Sequence, residues 1–213
     1  MLNVKIFTFN PLQENTYLVY NEHKECLIID PGCYFQEERE KLVSFIQTSG
    51  LSPRMLLNTH CHLDHVFGNR FIHQEYGLEL HIHKGEVPVL ERAPASGLMW
   101  NVPFDNYDGP LHFLDESEPV LLGHDRLEVL LLPGHSPASV GFYSKSQGFI
   151  IGGDVLFRES VGRTDLPGGN PKILQQSILE KLYVLPDETI VYSGHGIPTT
   201  IGHEKKFNPY VSA

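Results

Sequence analysis

The sequence predicts a mixed α/β (α+β) chain in which two β-sheets pack face to face and helices cover their outer faces. Two observations predict this four-layer order. Runs of β-forming residues separated by turn residues occur in both halves of the chain, and amphipathic helical segments follow each set of strands. In addition, 213 residues with 41% hydrophobic content are enough to build one sizeable core. We therefore expect a single domain over residues 1–213.

The first half of the chain is predicted to begin as an antiparallel meander. Its expected elements are strands at 2–6, 16–20 and 26–29, a helix at 35–49, a strand at 55–57, a helix at 66–76 and a strand at 78–82. Acidic residues early in the first helix and Gly50 after it are typical of helix ends. Gly77 ends the second helix in the same way.

The segment from Glu86 to Pro110 is predicted to be irregular. It contains four prolines, at positions 88, 94, 103 and 110, and proline disrupts a helix interior. We expect at most one short helix here and interpret the segment as a mobile flap.

The second half repeats the strand-and-turn pattern. Strands are expected at 127–132, 139–143, 149–151 and 189–192. Asn170 as N-cap and Pro171 at the first helical position predict a helix between the last two of these strands. Its apolar residues follow helical spacing as far as Leu182, and Pro186 follows its end.

The composition disfavours several classes of partner. The formal net charge of −10 repels nucleic acid and anionic membranes. The N-terminal residues lack the pattern of an export signal, and no apolar run approaches the ~20 residues that span a bilayer. Cys26, Cys33 and Cys61 are an odd number without a CxxC motif, which suits a reducing compartment. We expect a soluble cytoplasmic protein.

A cluster of metal-capable side chains follows the predicted strand 55–57. His60, His62, Asp64 and His65 lie within six residues. Alternate residues of an extended segment point the same way, so His60 and His62 can hold one ion, while Asp64 and His65, on the turn that follows, can face a second. Cys61 lies between inward-facing neighbours, and we expect it to pack against the strand.

Three further metal-capable residues stand just beyond apolar strands: His135, Asp154 and His195. Small flanking residues at each position let the backbone approach closely. Taken alone, His135 and His195 each also fit a capped loop or a satisfied core position. With the cluster they bring the set to five histidines and two aspartates, which exceeds one tetrahedral ion and favours two ions bridged by a carboxylate.

The H-x-H-x-D-H cluster, followed by separate His, Asp and His at strand ends, resembles the metallo-β-lactamase superfamily. The resemblance extends from the turn at 30–32 to residues 194–196. It implies an αββα sandwich with a shallow metal site between the sheets. It also implies a division of the ligands: His60, His62 and His135 in the first site, Asp64, His65 and His195 in the second, and Asp154 as the bridge.

Within that superfamily the chain resembles the short bacterial glyoxalase II-like hydrolases. The resemblance rests on Gly-Arg-Thr-Asp at 162–165 and on residues 194–202 and 204–209. Full glyoxalase II enzymes carry a C-terminal helical domain that helps hold glutathione, whereas this chain stops soon after Pro209. Where those enzymes use a basic residue and a tyrosine, this sequence has Arg163 and Asp165.

The resemblance implies hydrolysis of a small-molecule thioester, such as a 2-hydroxyacyl-glutathione. Two divalent ions would serve as cofactors, with Zn²⁺ first, Fe or Mn as alternatives and a second site that can be partly occupied. Asp64 would be the catalytic residue that orients the attacking water. Arg163 is a candidate for binding the substrate carboxylate, and it can equally pair with Asp165 or Asp187 and shape its loop. Lys205 and Lys206 fit a solvated helix end.

Other functions remain compatible with the pattern. A glutathione persulfide dioxygenase would hold one Fe(II) with His60, His135 and Asp154. A β-lactamase or lactonase would use the same metal chemistry. A non-catalytic metal-binding module would be expected to lose ligands, and all seven are retained here. The pattern makes no prediction of oligomeric state.

Overall fold

The computed structural model describes residues 1–212, and over that range it places twelve strands in two six-stranded sheets. The first sheet consists of β1 (Asn3–Phe9), β2 (Glu14–Tyr20), β3 (Glu25–Ile29), β4 (Ser52–Leu57), β5 (Leu80–His83) and β6 (Leu111–Leu114). The second half of the chain adds β7 (Val120–Leu122), β8 (Asp125–Leu131), β9 (Val140–Ser144), β10 (Phe149–Gly153), a separate hairpin of β11 (Leu156–Phe157) and β12 (Ser160–Val161), β13 (Ile190–Ser193) and β14 (Thr199–Thr200).

The helices lie between these strands in the chain. They are α1 (Gln36–Thr48), α2 (Leu63–Val66), α3 (Asn69–Tyr76), α4 (Val87–Met99), α5 (Pro171–Ser177) and α6 (Ile201–Phe207). A 3-10 turn, Lys84–Glu86, precedes α4, and a π-helical segment, Ile178–Leu182, continues α5. Over residues 1–212, no helix combines the length and apolar character that crossing a membrane requires.

Strand direction changes within each sheet, and this positions the polar residues. β1, β2 and β3 form the predicted antiparallel meander, while β3 to β6 run parallel. In the second sheet, whose order is β14-β13-β10-β9-β8-β7, β10 and β13 are parallel. The carboxyl ends of parallel strands meet at one edge, so residues that follow them come together there.

Side chains alternate between two apolar layers along β2, β3 and β4 of the first sheet. In β2, Tyr17 and Val19 pack between the two sheets, whereas Leu18 packs toward the helices. This alternation is the period-2 geometry of a strand buried on both faces. A third core lies beyond the second sheet, where Leu174 and Ile178 pack. Three apolar layers separate four layers of structure, which confirms the predicted αββα sandwich.

The prediction of an irregular segment at 86–110 is wrong over α4, which runs for 13 residues. Pro88 lies in the first turn of this helix, where no intrahelical hydrogen bond is lost. Leu90, Ala93 and Gly97 form a buried stripe at helical spacing. Burial of that stripe stabilises a helix that the prolines alone disfavour. The mobility of the segment stays a prediction.

Pro94 lies in the middle of α4 and has no N–H to donate to the carbonyl of Leu90. That carbonyl accepts a hydrogen bond from the side-chain amide of Asn106 instead, at 2.7 Å. The polypeptide returning from α4 therefore supplies the donor that proline removes. This replacement of the missing backbone donor by the Asn106 side chain explains how a helix interior accommodates Pro94.

Other boundaries differ from expectation by smaller amounts. The helix predicted at 66–76 begins only at Asn69, as α3, and the short α2 precedes it; between them the backbone N–H of Gly68 donates to the carbonyl of Pro31 at 2.7 Å. A Cβ at Gly68 would lie 2.5 Å from the Cys33 sulfur, so close packing favours glycine there. The predicted cap of α5 is confirmed, since the Asn170 side chain accepts from two backbone N–H groups of the first turn.

Candidate metal centre

All seven predicted ligand residues lie beyond the carboxyl ends of strands that meet at one edge of the sandwich. Four of them follow β4 of the first sheet: His60, His62, Asp64 and His65. The other three follow strands of the second sheet, His135 after β8, Asp154 after β10 and His195 after β13. One difference from expectation is local: Asp64 and His65 lie on α2, not on a turn.

The first group contains three imidazoles. Nδ1 of His62 lies 2.8 Å from Nε2 of His135. The same Nε2 of His135 lies 3.2 Å from Nε2 of His60. All three rings therefore direct a nitrogen toward one point, and their nitrogens lie within 4.8 Å of one another. Three convergent imidazole nitrogens form one face of a tetrahedral metal site.

The second group contains Asp64, His65 and His195. Oδ2 of Asp64 lies 3.1 Å from Nε2 of His195 and 3.8 Å from Nε2 of His65. His65 is fully buried, while the ring of His195 is partly exposed. These three residues are also close enough to share one ion.

Asp154 lies between the two groups. Its Oδ1 is 3.4 Å from Nε2 of His65, and its Oδ2 is 3.6 Å from Nε2 of His135 and 3.5 Å from Nε2 of His195. One carboxylate thus faces imidazoles of both groups, which is the position that a bridging ligand occupies. A Cβ at Gly194 would lie 2.0 Å from Oδ1 of Asp154, so only glycine leaves room for this carboxylate.

Hydrogen bonds on the far side of the rings fix which nitrogen faces inward. The Nδ1 atoms of three rings donate outward: His65 to Asp30 Oδ2 at 3.1 Å, His135 to the carbonyl of Arg163 at 2.7 Å, and His195 to the carbonyl of Gln13 at 3.1 Å. A proton on Nδ1 leaves the lone pair on Nε2, which points into the cluster. His62 is the exception, because its Nδ1 faces inward.

Asp30 supports both groups from behind. Its carboxylate accepts from the backbone N–H of Thr59 at 2.7 Å, from the Thr59 hydroxyl at 2.6 Å and from His65. The Thr59 oxygen in turn accepts from Nδ1 of His60 at 3.1 Å. The sequence pattern marks Asp30 only as part of a turn, and its position directly after a buried strand is the signal that could have found it.

Glu86 joins the two ligand loops and carries no sequence signal. It is fully buried and forms no salt bridge with any described residue. Its Oε2 accepts from the backbone N–H of Cys61 at 2.9 Å, and its Oε1 accepts from Ser136 Oγ at 2.5 Å and from the backbone N–H of Ala138 at 2.8 Å. The loop of His60 and the loop of His135 are thereby held by one carboxylate.

Burial sets the charge of the first group. Burial, followed by the nearby His135, lowers the pKa of His62 to about 3. Burial also lowers the pKa of His60 well below its usual value, with the neighbouring histidines as secondary causes. Both rings are therefore neutral near pH 7, which is the form that binds metal.

In the second group, interactions between charged side chains outweigh the effect of burial on the pKa values. Burial disfavours the charged form of His65, but Asp154 and Asp64 outweigh burial and raise its pKa well above the usual value. Burial raises the pKa of Asp154, but His65, with His135 and His195, outweighs it and lowers that pKa well below the usual value. The carboxylates of Asp154 and Asp64 stabilise the protonated ring of His65. The same negative charges would stabilise a metal cation bound to that ring instead of the proton.

The residues fit a bound cation pair. Nε2 of His65 and Oδ1 of Asp154 are buried and have no hydrogen-bond partner. Buried polar atoms without partners are unfavourable, and here both point into a set of imidazole and carboxylate donors. Two three-residue groups with a shared carboxylate suit two ions. Cys61 is buried in the apolar core and belongs to neither group.

A cavity of about 440 Å³ opens onto the cluster between α4 and the loop at 163–168. Arg163 lines it, and its Nε and Nη2 both donate to the carboxylate of Asp165 at 2.8 Å. Asp187 instead pairs with Lys205 at the end of α6, at 2.6 Å. The structure thus shows the pairing of Arg163 with Asp165, and its role in binding substrate stays a prediction.

Comparison with known proteins identifies a family and close relatives. The family described as "Metallo-beta-lactamase superfamily" matches residues 9–195. YqgX of Bacillus subtilis, described as a "Probable metallo-hydrolase", is 37% identical over 203 residues, covering 95% of this chain and 94% of that protein. "Hydroxyacylglutathione hydrolase GloC" of Haemophilus influenzae is 35% identical and covers 100% of this chain and 99% of its own length.

Solved structures with the same fold include three informative ones. TTHA1623, crystallised in a di-iron-bound form, is 40% identical with a TM-score of 0.88, over 97% of this chain and 100% of that one. The B3 metallo-β-lactamase BLEG-1 is 35% identical with a TM-score of 0.91, over 99% and 100%. ETHE1 from Myxococcus xanthus is 25% identical with a TM-score of 0.77, over 97% and 83%.

Proposed function

Because the chain belongs to the metallo-β-lactamase superfamily and is a metal-dependent hydrolase of that superfamily, we propose that its substrates are thioesters, with 2-hydroxyacyl-glutathione as the leading candidate. The observation that carries the proposal is Asp154, which lies between two three-residue groups at the floor of an open cavity. The full-length similarity to GloC supports the thioester class.

The chain would hold two divalent ions, with His60, His62 and His135 around one, Asp64, His65 and His195 around the other, and Asp154 shared. When bound, such ions would lower the pKa of a coordinated water to about 7 and would polarise the substrate carbonyl. We place Zn²⁺ first, and the di-iron form of TTHA1623 supports iron as an alternative.

Asp64 is our candidate for the proton acceptor. Its Oδ2 faces the rings of His195 and His65, so Oδ1 is the oxygen left to accept a proton from the attacking water. Burial raises the pKa of Asp64, but His65 and His195 outweigh it and lower that pKa below the usual value. The carboxylate is therefore ionised near pH 7, as a proton acceptor must be.

A thioester suits a site that offers no obvious general acid. The thiol that departs has a pKa of ~8.5, so it leaves as a thiolate without receiving a proton. An amine leaving group would need protonation. We propose a small-molecule substrate, no nucleic-acid or membrane partner and a cytoplasmic location, in keeping with the net charge of −10.

The test is a hydrolysis assay of the metal-loaded protein with 2-hydroxyacyl-glutathione and simpler thioesters. We expect His60→Ala and Asp154→Ala each to lower kcat/KM by about 100-fold or more, since even outer partners of metal ligands are worth 10- to 100-fold. Glu118→Gln, at an exposed position outside the cavity, is the matched control. Wild-type activity that survives both ligand substitutions would rule out the metal mechanism.

A glutathione persulfide dioxygenase is the second candidate, and the similarity to ETHE1 supports it. It would need one Fe(II), held by His60, His135 and Asp154. Oxygen uptake with glutathione persulfide, together with one ion per chain, would favour this activity over hydrolysis. The similarity to BLEG-1 is the reason to include a β-lactam in the same substrate panel.

A further inference from the structure

One face of α4 forms a wall of the cavity. Val89, Arg92, Ala93 and Ser96 line it, together with Trp100 just after the helix, and the spacings 89–93, 92–96 and 96–100 place them along one side of the helix. From Val89 to Trp100 this face is about 16 Å long, at 1.5 Å per residue. The helix also packs against α2, which carries Asp64 and His65. A substrate bound at the cluster would therefore lie along α4.

The two arginines of the cavity differ in their availability. The guanidinium of Arg163 donates to Asp165 from Nε and Nη2, and this pair is neutral overall. Arg92 forms no hydrogen bond or salt bridge to any of residues 1–212, and its side chain is exposed. The cavity carboxylates are Asp64 and Asp154, and both face the histidine cluster. Arg92 is thus the cavity cation with a free charge.

The remaining wall is mainly apolar. On either side of the cluster it is formed by residues such as Leu12, Leu63, Phe157 and Leu166. Such a surface suits the carbon chain of a substrate, and away from the cluster Arg92 is the lining cation that no described carboxylate neutralises. In a protein of net charge −10, an anionic substrate also needs a local cation with fork geometry to bind.

We propose that Arg92, and not Arg163, binds a carboxylate of the substrate's thiol moiety. The inference rests on the proposed thioester hydrolysis. The 2-hydroxyacyl group is small and its carbonyl must lie at the cluster, so the group that extends along α4 to Arg92 belongs to the thiol. The substrate class is therefore a thioester whose thiol carries a carboxylate.

The experiment compares two thioesters that share one acyl group, in the metal-loaded protein. S-lactoylglutathione carries carboxylates on its thiol, whereas S-lactoyl-N-acetylcysteamine carries none. We expect Arg92→Gln to raise KM about tenfold or more for the first and to leave the second unchanged. Arg126→Gln, an exposed arginine of β8 outside the cavity, is the matched control. Equal effects on both thioesters, or an increase seen only with Arg163→Gln, would overturn the assignment.

A binding measurement separates this inference from the proposed function. Calorimetry with S-hexylglutathione, which cannot be hydrolysed, should show binding that weakens about tenfold or more in Arg92→Gln. If the wild type hydrolyses no thioester but shows this difference, the proposed function fails and the role of Arg92 stands. If binding is absent, or is the same in wild type and variant, the role of Arg92 is refuted whatever the hydrolysis assay gives.

Discussion

Glu86 shows how a single buried side chain can organise ligands that it does not touch. Its two oxygens accept from groups on both ligand loops, one on the His60 side and two on the His135 side. A carboxylate has only acceptors, so it matches three donors at once. An amide of the same shape has one oxygen and one NH₂ group, and it cannot satisfy both sides.

We therefore predict that Glu86→Gln lowers the free energy of unfolding by about 1–3 kcal/mol, because a buried donor loses its acceptor. Urea denaturation of the metal-free protein measures this without any contribution from bound ions. Glu118→Gln is the control and should stay within about 0.5 kcal/mol of wild type. A Glu86→Gln variant as stable as that control would show that the hydrogen bonds of Glu86 to the two ligand loops contribute nothing to stability.

The seven ligand candidates could be found from the sequence, and their supports could not. His135, Asp154 and His195 stand next to small residues just after apolar strands, which is a short-range signal. Glu86, by contrast, meets Cys61 and Ala138 across sequence separations of 25 and 52 residues. Nothing near Glu86 in the chain marks it, since its partners are mostly backbone groups that any residue could provide.

The helix α4 illustrates the same limit for a whole element. Pro88 and Pro94 favour an irregular segment when only local preferences are considered. The structure offsets them with a buried stripe and with the hydrogen bond from Asn106 to the carbonyl of Leu90, 16 residues apart. The start of α5 was predictable because Asn170 and Pro171 act on adjacent residues.

We predict that Asn106→Ala lowers the free energy of unfolding by about 1–3 kcal/mol, since the Leu90 carbonyl loses its donor. In a Pro94→Ala background the same substitution should cost less, because alanine at that position supplies a backbone N–H to the carbonyl. A double-mutant cycle measured by urea denaturation tests this directly. Equal costs in the two backgrounds would mean that Asn106 does not replace the missing helical bond.

The molecule as a whole keeps its three cysteines inside. Cys26, Cys33 and Cys61 are free thiols, and all lie in the core between the first sheet and its helices. Burial raises the pKa of Cys26 and of Cys33 to about 12, and it raises that of Cys61 well above the usual value. Folding therefore favours the protonated thiols, a contribution that is present below pH ~9 and is lost as the pH rises toward 12.

At pH 8 we predict that a thiol-specific disulfide reagent modifies none of these cysteines on the timescale of a free thiol, because the reactive form is the thiolate. After denaturation in guanidinium, all three should react. Absorbance at completion counts the modified thiols in each state. Rapid modification of any cysteine in the native protein would contradict the burial described above.

The layered architecture was predictable at the level of the molecule because the apolar pattern of the strands repeats throughout the chain. The strand order and the approach of the two ligand sets were not predictable from the sequence pattern. Both depend on strand pairings, such as that of β10 with β13, between segments that lie far apart in sequence. Only the resemblance to a known superfamily supplied that arrangement in advance.

The two sheets each contribute part of the ligand set, and this has a geometric consequence. The layer between them is filled by side chains such as Leu57 and Phe142, packed without exposure to solvent. Since protein interiors are packed as densely as organic crystals, the thickness of this layer acts as a spacer that sets how far His60 stands from His135. Residues deep in the sandwich, remote from any reacting atom, therefore influence the distance between the ligands of the two sheets. Substitutions that change side-chain volume there are expected to change the chemistry of the centre.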